Sequence, residues 1–135
     1  MTQTILVVDD QSHIRFLLEK VLEPLRREGV LVVTAVNGFD ALKLAEILRP
    51  QLIFLDILLP KLDGFEVCRR IKQEQEMTDT YVAFVTAKGE EGDVEEGLAV
   101  GGDRYITKPF DPDAILKLAL EVLHLSLSPM PEPPF

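Results

Sequence analysis

Five short apolar runs punctuate this chain, and they constrain its fold more than any other feature. They are Thr4–Val8, Leu31–Ala35, Gln51–Leu55, Tyr81–Val85 and Arg104–Ile106. The first four are rich in Val, Ile, Leu or Phe and do not alternate apolar with polar residues. Strands covered on both faces read this way, whereas a strand with one wet face alternates. The fifth run is short and weak by itself.

Segments with helical spacing separate the runs. In the first, Ile14, Leu17, Leu18, Val21, Leu22 and Leu25 fall on one face. Ser12 is placed to cap its start, and Gly29 follows its end. The second is predicted over Gly38–Leu48 and stops before Pro50. The third is predicted over Asp63–Gln75, with Phe65, Cys68 and Ile71 turned inward. The fourth, Glu90–Val100, carries few large apolar residues and an internal Gly97. Glycine there costs about 1 kcal/mol against alanine, so this helix is expected to be the least stable. The fifth is predicted over Pro112–Leu127.

Strands alternating with helices give a (βα)₅ chain: an α/β three-layer sandwich, with a parallel sheet between two helical layers. The flavodoxin-like strand order 2-1-3-4-5 is the common five-stranded solution. With 135 residues the chain has room for one domain, expected over 1–127. The remaining SPMPEPPF has four prolines in eight residues and reads as a tail or linker stub over 128–135. Such an ending fits a stand-alone domain and a fragment of a longer protein equally. A net charge of −9 argues against direct contact with nucleic acid but suits a divalent cation held by carboxylates. One cysteine, Cys68, excludes an internal disulfide and a Cys-rich metal site, and it is expected to pack as a small apolar residue. There is no apolar stretch of membrane-spanning length and no basic-then-apolar signal segment, so the default location is the cytoplasm, with no membrane partner.

The polar residues at the carboxyl ends of the strands carry the chemistry. Asp9 and Asp10 follow the first strand and Asp56 the third; Thr86 closes the fourth, and Lys108 follows the fifth. Open α/β sheets bind ligands outside these ends, at the point where the strand order reverses. With order 2-1-3-4-5 that point lies between strands one and three. An Asp after a strand is ordinarily a turn or cap residue. That reading does not explain why five polar groups meet at one place. Three clustered carboxylates repel unless a cation joins them. Oxygen donors without His or Cys suit Mg²⁺ or Mn²⁺. Lys108 and Thr86 would then contact phosphoryl oxygens, leaving Asp56 as the nucleophile that forms an acyl phosphate. Phosphoryl transfer needs mainly alignment and charge neutralisation, which this set supplies.

The segments ILVVDD, LIFLDILLPKLDG, VAFVTA and GGDRYITKPF resemble the receiver domain of two-component response regulators, over about residues 3–124. The resemblance implies that Asp56 is the phospho-acceptor, served by a sensor histidine kinase or histidine phosphotransfer protein. It implies Asp10 as a direct Mg²⁺ ligand, Asp9 as a mainly water-mediated one, and the backbone carbonyl of Leu58 as the last protein ligand. It further implies Thr86 and Tyr105 as a switch pair, a Lys108–Pro109 bond that is often cis, and an output face on helix four, strand five and helix five. Leu58 and Lys88 would flank the acceptor and govern phosphoryl lifetime. A protein of this kind is not an enzyme toward other substrates; it catalyses only its own phosphoryl transfer and dephosphorylation.

Other readings fit less well. A flavodoxin needs a phosphate loop where Asp9–Asp10–Gln11 stands. A P-loop protein needs GxxxxGK[ST], which is absent. A haloacid dehalogenase-type phosphatase needs an Asp where Leu58 stands. The alternative left open is a receiver-fold interaction or dimerisation module that is never phosphorylated. On the fifth helix Ile115, Leu118, Ala119 and Val122 suffice to cover the sheet. A second stripe, Leu116, Leu120, Leu123 and Leu127, is covered by the tail or the first helix, or else it is a partner or homodimer face. His13 and His124 are expected at the surface or at caps, not as relay sites.

Overall fold

A computed structural model describes residues 2–87 and 91–127. The strands are β1 (Thr4–Val8), β2 (Leu31–Ala35), β3 (Leu52–Leu55), β4 (Tyr81–Thr86) and β5 (Arg104–Thr107). The helices are α1 (Ser12–Arg27), α2 (Gly38–Leu48), α3 (Gly64–Arg69), α4 (Glu91–Ala99) and α5 (Pro112–Leu123). All strand pairs are parallel, in the order β2-β1-β3-β4-β5. Every strand boundary lies within one residue of its expected place. The tail over 128–135 and Lys88 lie outside the described residues.

The absence of alternation has its cause in two cores. Ile5 and Val7 of β1, with Leu52 and Phe54 of β3, meet Leu18, Leu22 and Leu25 of α1 and Ile115, Leu118 and Ala119 of α5. Leu6 and Val8, with Ile53 and Leu55, meet Ala41 and Ala45 of α2 and Phe65, Val67 and Cys68 of α3. Successive residues of β1 and β3 therefore enter opposite cores, so both of their faces call for apolar side chains. The weak fifth run is one of the two edge strands, paired on one side only, with Arg104 and Thr107 exposed.

Three expectations need correction. Ser12 is the first helical residue, not the cap; Gln11 holds the cap position and makes no side-chain cap bond. α3 does not run evenly to Gln75, because Arg70–Glu74 continues it as a π-helical turn. α5 ends at Leu123, not Leu127. There His124 adopts a left-handed conformation (φ 55°), and the Leu125 N–H reaches back to the Leu120 carbonyl. This is a Schellman stop made without glycine, so apolar periodicity ran past it.

One glycine sets the height of the loop that follows β3. Gly64 starts α3 so close to the chain leaving β3 that an added Cβ would lie 2.3 Å from the Asp56 carbonyl oxygen. Asp63 caps the same helix, its side chain accepting from the Glu66 N–H. Gly64→Ala must push helix and loop apart. Its expected cost is about 1–3 kcal/mol of unfolding free energy in a urea titration; an unchanged midpoint would contradict the close approach.

Candidate functional site

Parallel strands bring the five polar residues to one edge of the sheet. Asp9 and Asp10 leave β1, Asp56 leaves β3, Thr86 ends β4, and Lys108 follows β5. Asp9, Asp10 and Asp56 each offer a carboxylate oxygen, all within 4.8 Å of one another. Asp9 and Asp56 are buried, while Asp10 is exposed.

Hydrogen bonds fix two of the three carboxylates. Lys108 Nζ donates to Asp9 Oδ2 at 2.8 Å and to Asp56 Oδ2 at 3.1 Å. The opposite oxygens are held by local turns. Asp9 Oδ1 accepts from the Gln11 N–H at 2.9 Å, and Asp56 Oδ1 from the Leu58 N–H at 3.1 Å. Arg15 of α1 folds back so that Nη1 donates to the Asp9 backbone carbonyl at 2.9 Å. The sequence offered little sign of this contact, since six positions separate the two residues and Arg15 reads as a helix surface cation. The Lys108–Pro109 peptide is cis.

Among the described residues three carboxylates meet one lysine ammonium, which pairs with two of them. Burial raises the Asp9 carboxyl above the ordinary aspartate value; the Lys108 hydrogen bond opposes this, and the Asp56 charge adds to it. Burial also works against the Lys108 charge, but the hydrogen bond to Asp9 and the Asp56 charge outweigh it, so the ammonium is raised. The donors are hard oxygens, and a divalent ion would balance the excess negative charge. This cluster could therefore hold a divalent metal ion.

Residues 5–120 match the family model described as response regulator receiver domain. The chain belongs to this family. Its receiver domain is 49% identical over 112 residues to the alkaline phosphatase synthesis transcriptional regulatory protein PhoP of Bacillus subtilis, covering 83% of this chain and 45% of that protein. It is 38% identical over 112 residues to Protein PilG of Pseudomonas aeruginosa, covering 83% of this chain and 81% of that protein. The chain thus spans less than half of the Bacillus relative. Among solved structures, the BeF3-activated DrrB receiver domain superposes with a TM-score of 0.80 at 31% identity, covering 93% of this chain and all of that one. No helix among the described residues is long and apolar enough to cross a membrane.

The remaining expected site residues fall around this receiver pocket or away from it. Thr86 is fully buried at the end of β4, and its carbonyl accepts from the Lys108 N–H at 2.8 Å. Tyr105 is half-buried on β5, its ring 6.0 Å from that of Phe84. Burial raises its phenol, and the Asp93 and Asp56 charges add to the shift. Leu58 is exposed beside Asp56, and its carbonyl accepts no hydrogen bond from the described residues. The leucine stripe does not form an exposed face. Leu123 is in the core, Leu116 and Leu120 pack against the same cluster as α1, and Leu127 lies past the helix end. Among the described residues α1 packs into the same cluster, while the tail lies outside them. His13 is exposed, His124 is the α5 cap, and Cys68 is buried.

Asp9→Asn is expected to raise the melting temperature of the metal-free receiver at neutral pH. The folded Asp9 carboxyl holds its proton more tightly than at the ordinary value of 3.8. Its contribution is therefore fully present below that value and lost as pH rises through the folded pKa. The gain in Asp9→Asn should shrink as pH falls toward the ordinary aspartate range. Calorimetry in a chelating buffer checks this; a loss of stability at neutral pH contradicts it.

Proposed function

We propose that this receiver accepts a phosphoryl group on Asp56 from a sensor histidine kinase or histidine phosphotransfer protein, with Mg²⁺ or Mn²⁺ at Asp9, Asp10, Asp56 and the Leu58 carbonyl. The observation that carries the reading is the Lys108 ammonium bridging Asp9 and Asp56. One cation placed on both carboxylates is positioned to stay with Asp56 as negative phosphoryl oxygens arrive. An Asp56 oxygen forms the new P–O bond as the donor's P–N bond breaks, and the donor imidazole leaves. Bound metal would supply further neutralisation of the phosphoryl charge.

Thr86 is the proposed reporter. Its hydroxyl would turn to a phosphoryl oxygen, and Tyr105 would move into the space released. Lys108 already holds Asp56, so its bond to the phosphoryl group contributes only by the difference between the two states. Thr86 likewise contributes by difference: exchanging its present contacts for a charged oxygen is worth at most about 1.5–3 kcal/mol, a shift of up to roughly 10–150-fold in a two-state population. The surface of α4, β5 and α5 would carry that shift to an output partner.

Incubation with acetyl phosphate and MgCl₂ is expected to add one phosphoryl group to the intact mass, and Asp56→Asn to take up none. Uptake that persists in Asp56→Asn moves the acceptor elsewhere. No uptake by the parent under conditions where Mg²⁺ binds favours the unphosphorylated interaction module.

A further inference from the structure

We propose that Arg15 is a positioning residue for the metal site, orienting Asp10 through the peptide that joins it to Asp9; this rests on the phosphoryl-acceptor reading above. Asp10 differs from the other two carboxylates. Asp9 is held at both oxygens, by Lys108 and by the Gln11 N–H, and Asp56 by Lys108 and the Leu58 N–H. Among the described residues nothing donates to the Asp10 side chain. Among the described residues only the backbone is held in place to orient it.

That backbone is at a vulnerable point. Asp9 lies past the last rung of β1: its N–H still reaches the Ala35 carbonyl, and the Val8 carbonyl takes the Asp56 N–H. The Asp9 carbonyl has no strand left to pair with, and the residue is 1% exposed. Among the described residues its donor is Arg15 Nη1. A planar peptide transmits the orientation of its carbonyl to the next Cα. Fixing the Asp9 carbonyl thereby fixes how Asp10 leaves the turn. Arg15 can do this from α1 because its own N–H bonds to the Gln11 carbonyl, which ties the helix start to the same turn.

The proposal makes a prediction opposite in sign to simple electrostatics. Arg15 is a cation close to a cation site, so deleting its charge should tighten Mg²⁺ binding by Coulomb's law. If Arg15 works by orienting Asp10, deleting it weakens binding. Supporting residues around a metal ligand typically change affinity by about 10–100-fold, and a shift of about tenfold is expected here because only one ligand is affected. The test is calorimetric titration of the full chain with MgCl₂, in the parent, Arg15→Met, Asp10→Asn and the double variant. Arg15→Met should bind Mg²⁺ about tenfold more weakly, and should have no further effect once Asp10 is Asn. Equal or tighter binding by Arg15→Met overturns the proposal, and so does an equal loss in the Asp10→Asn background. A parent that binds no Mg²⁺ overturns the metal reading of the pocket, and this inference with it. If Arg15→Met does not fold, Arg15→Gln is used in the same cycle, since its amide is too short to reach the carbonyl.

Discussion

A sheet of parallel strands must end all its strands at the same edge, and most of this protein's behaviour depends on that constraint. Each crossover returns the chain to the opposite edge through a helix, so whatever follows a strand is delivered to one side. The order β2-β1-β3-β4-β5 places β1 and β3 side by side with their crossovers on opposite faces, which opens a crevice between them. Asp9 and Asp56 enter it as neighbours because Val8 is registered against Leu55. Lys108 is far from both in sequence, yet β5 and β4 bring it to the same edge.

Convergence has an electrostatic cost. Among the described residues the two buried carboxylates share one ammonium and a third carboxylate stands at the rim, with only apolar layers beneath. The fold tolerates this because it is well satisfied elsewhere, with two separate cores of fully buried side chains. Strain of this kind, kept at one place and supported by the remainder, is what a site prepared for a cation or a phosphoryl group requires. Lys108 limits the repulsion without abolishing it. In the proposed transfer, a lysine contacting both carboxylates would stay beside Asp56 as the phosphoryl group arrives.

The sheet was legible because its signal is cumulative. Apolar runs that fail to alternate admit few explanations, and β1 and β3 show the physical one, since their odd and even residues feed different cores. The gathering of the five polar residues at one edge was legible for a related reason: strand ends are fixed by the runs that precede them. Ends of helices were less legible. Ser12 has the chemistry of a cap but lies inside α1, and His124 lacks the chemistry of a stop but supplies one. The leucine stripe was shortened with it, since Leu127 falls past the helix end, and counting apolar positions does not say which of the others a neighbouring helix partly covers. The Arg15 contact was invisible because it joins a side chain to a backbone carbonyl, and no residue type advertises a carbonyl left without a strand.

Gly97 illustrates how a local weakness becomes an architectural requirement. Read as helix propensity, it is only a loss. In the fold, a Cβ there would meet the Phe84 ring at 3.1 Å, and one on Gly102 would meet it at 2.3 Å. Phe84 in turn contacts Phe65 edge-on, with ring centroids 5.4 Å apart, and lies beside Tyr105. The large ring on β4 and the two glycines around it are therefore a matched set, and α4 rests on a rigid aromatic edge where most helices rest on interdigitated side chains. Phe84 is two residues before Thr86 on the same strand and points to the same face. Any movement of Tyr105 next to it alters the surface on which α4 sits. In this receiver the helix poorest in its own apolar anchors is thus the one placed directly over the proposed switch.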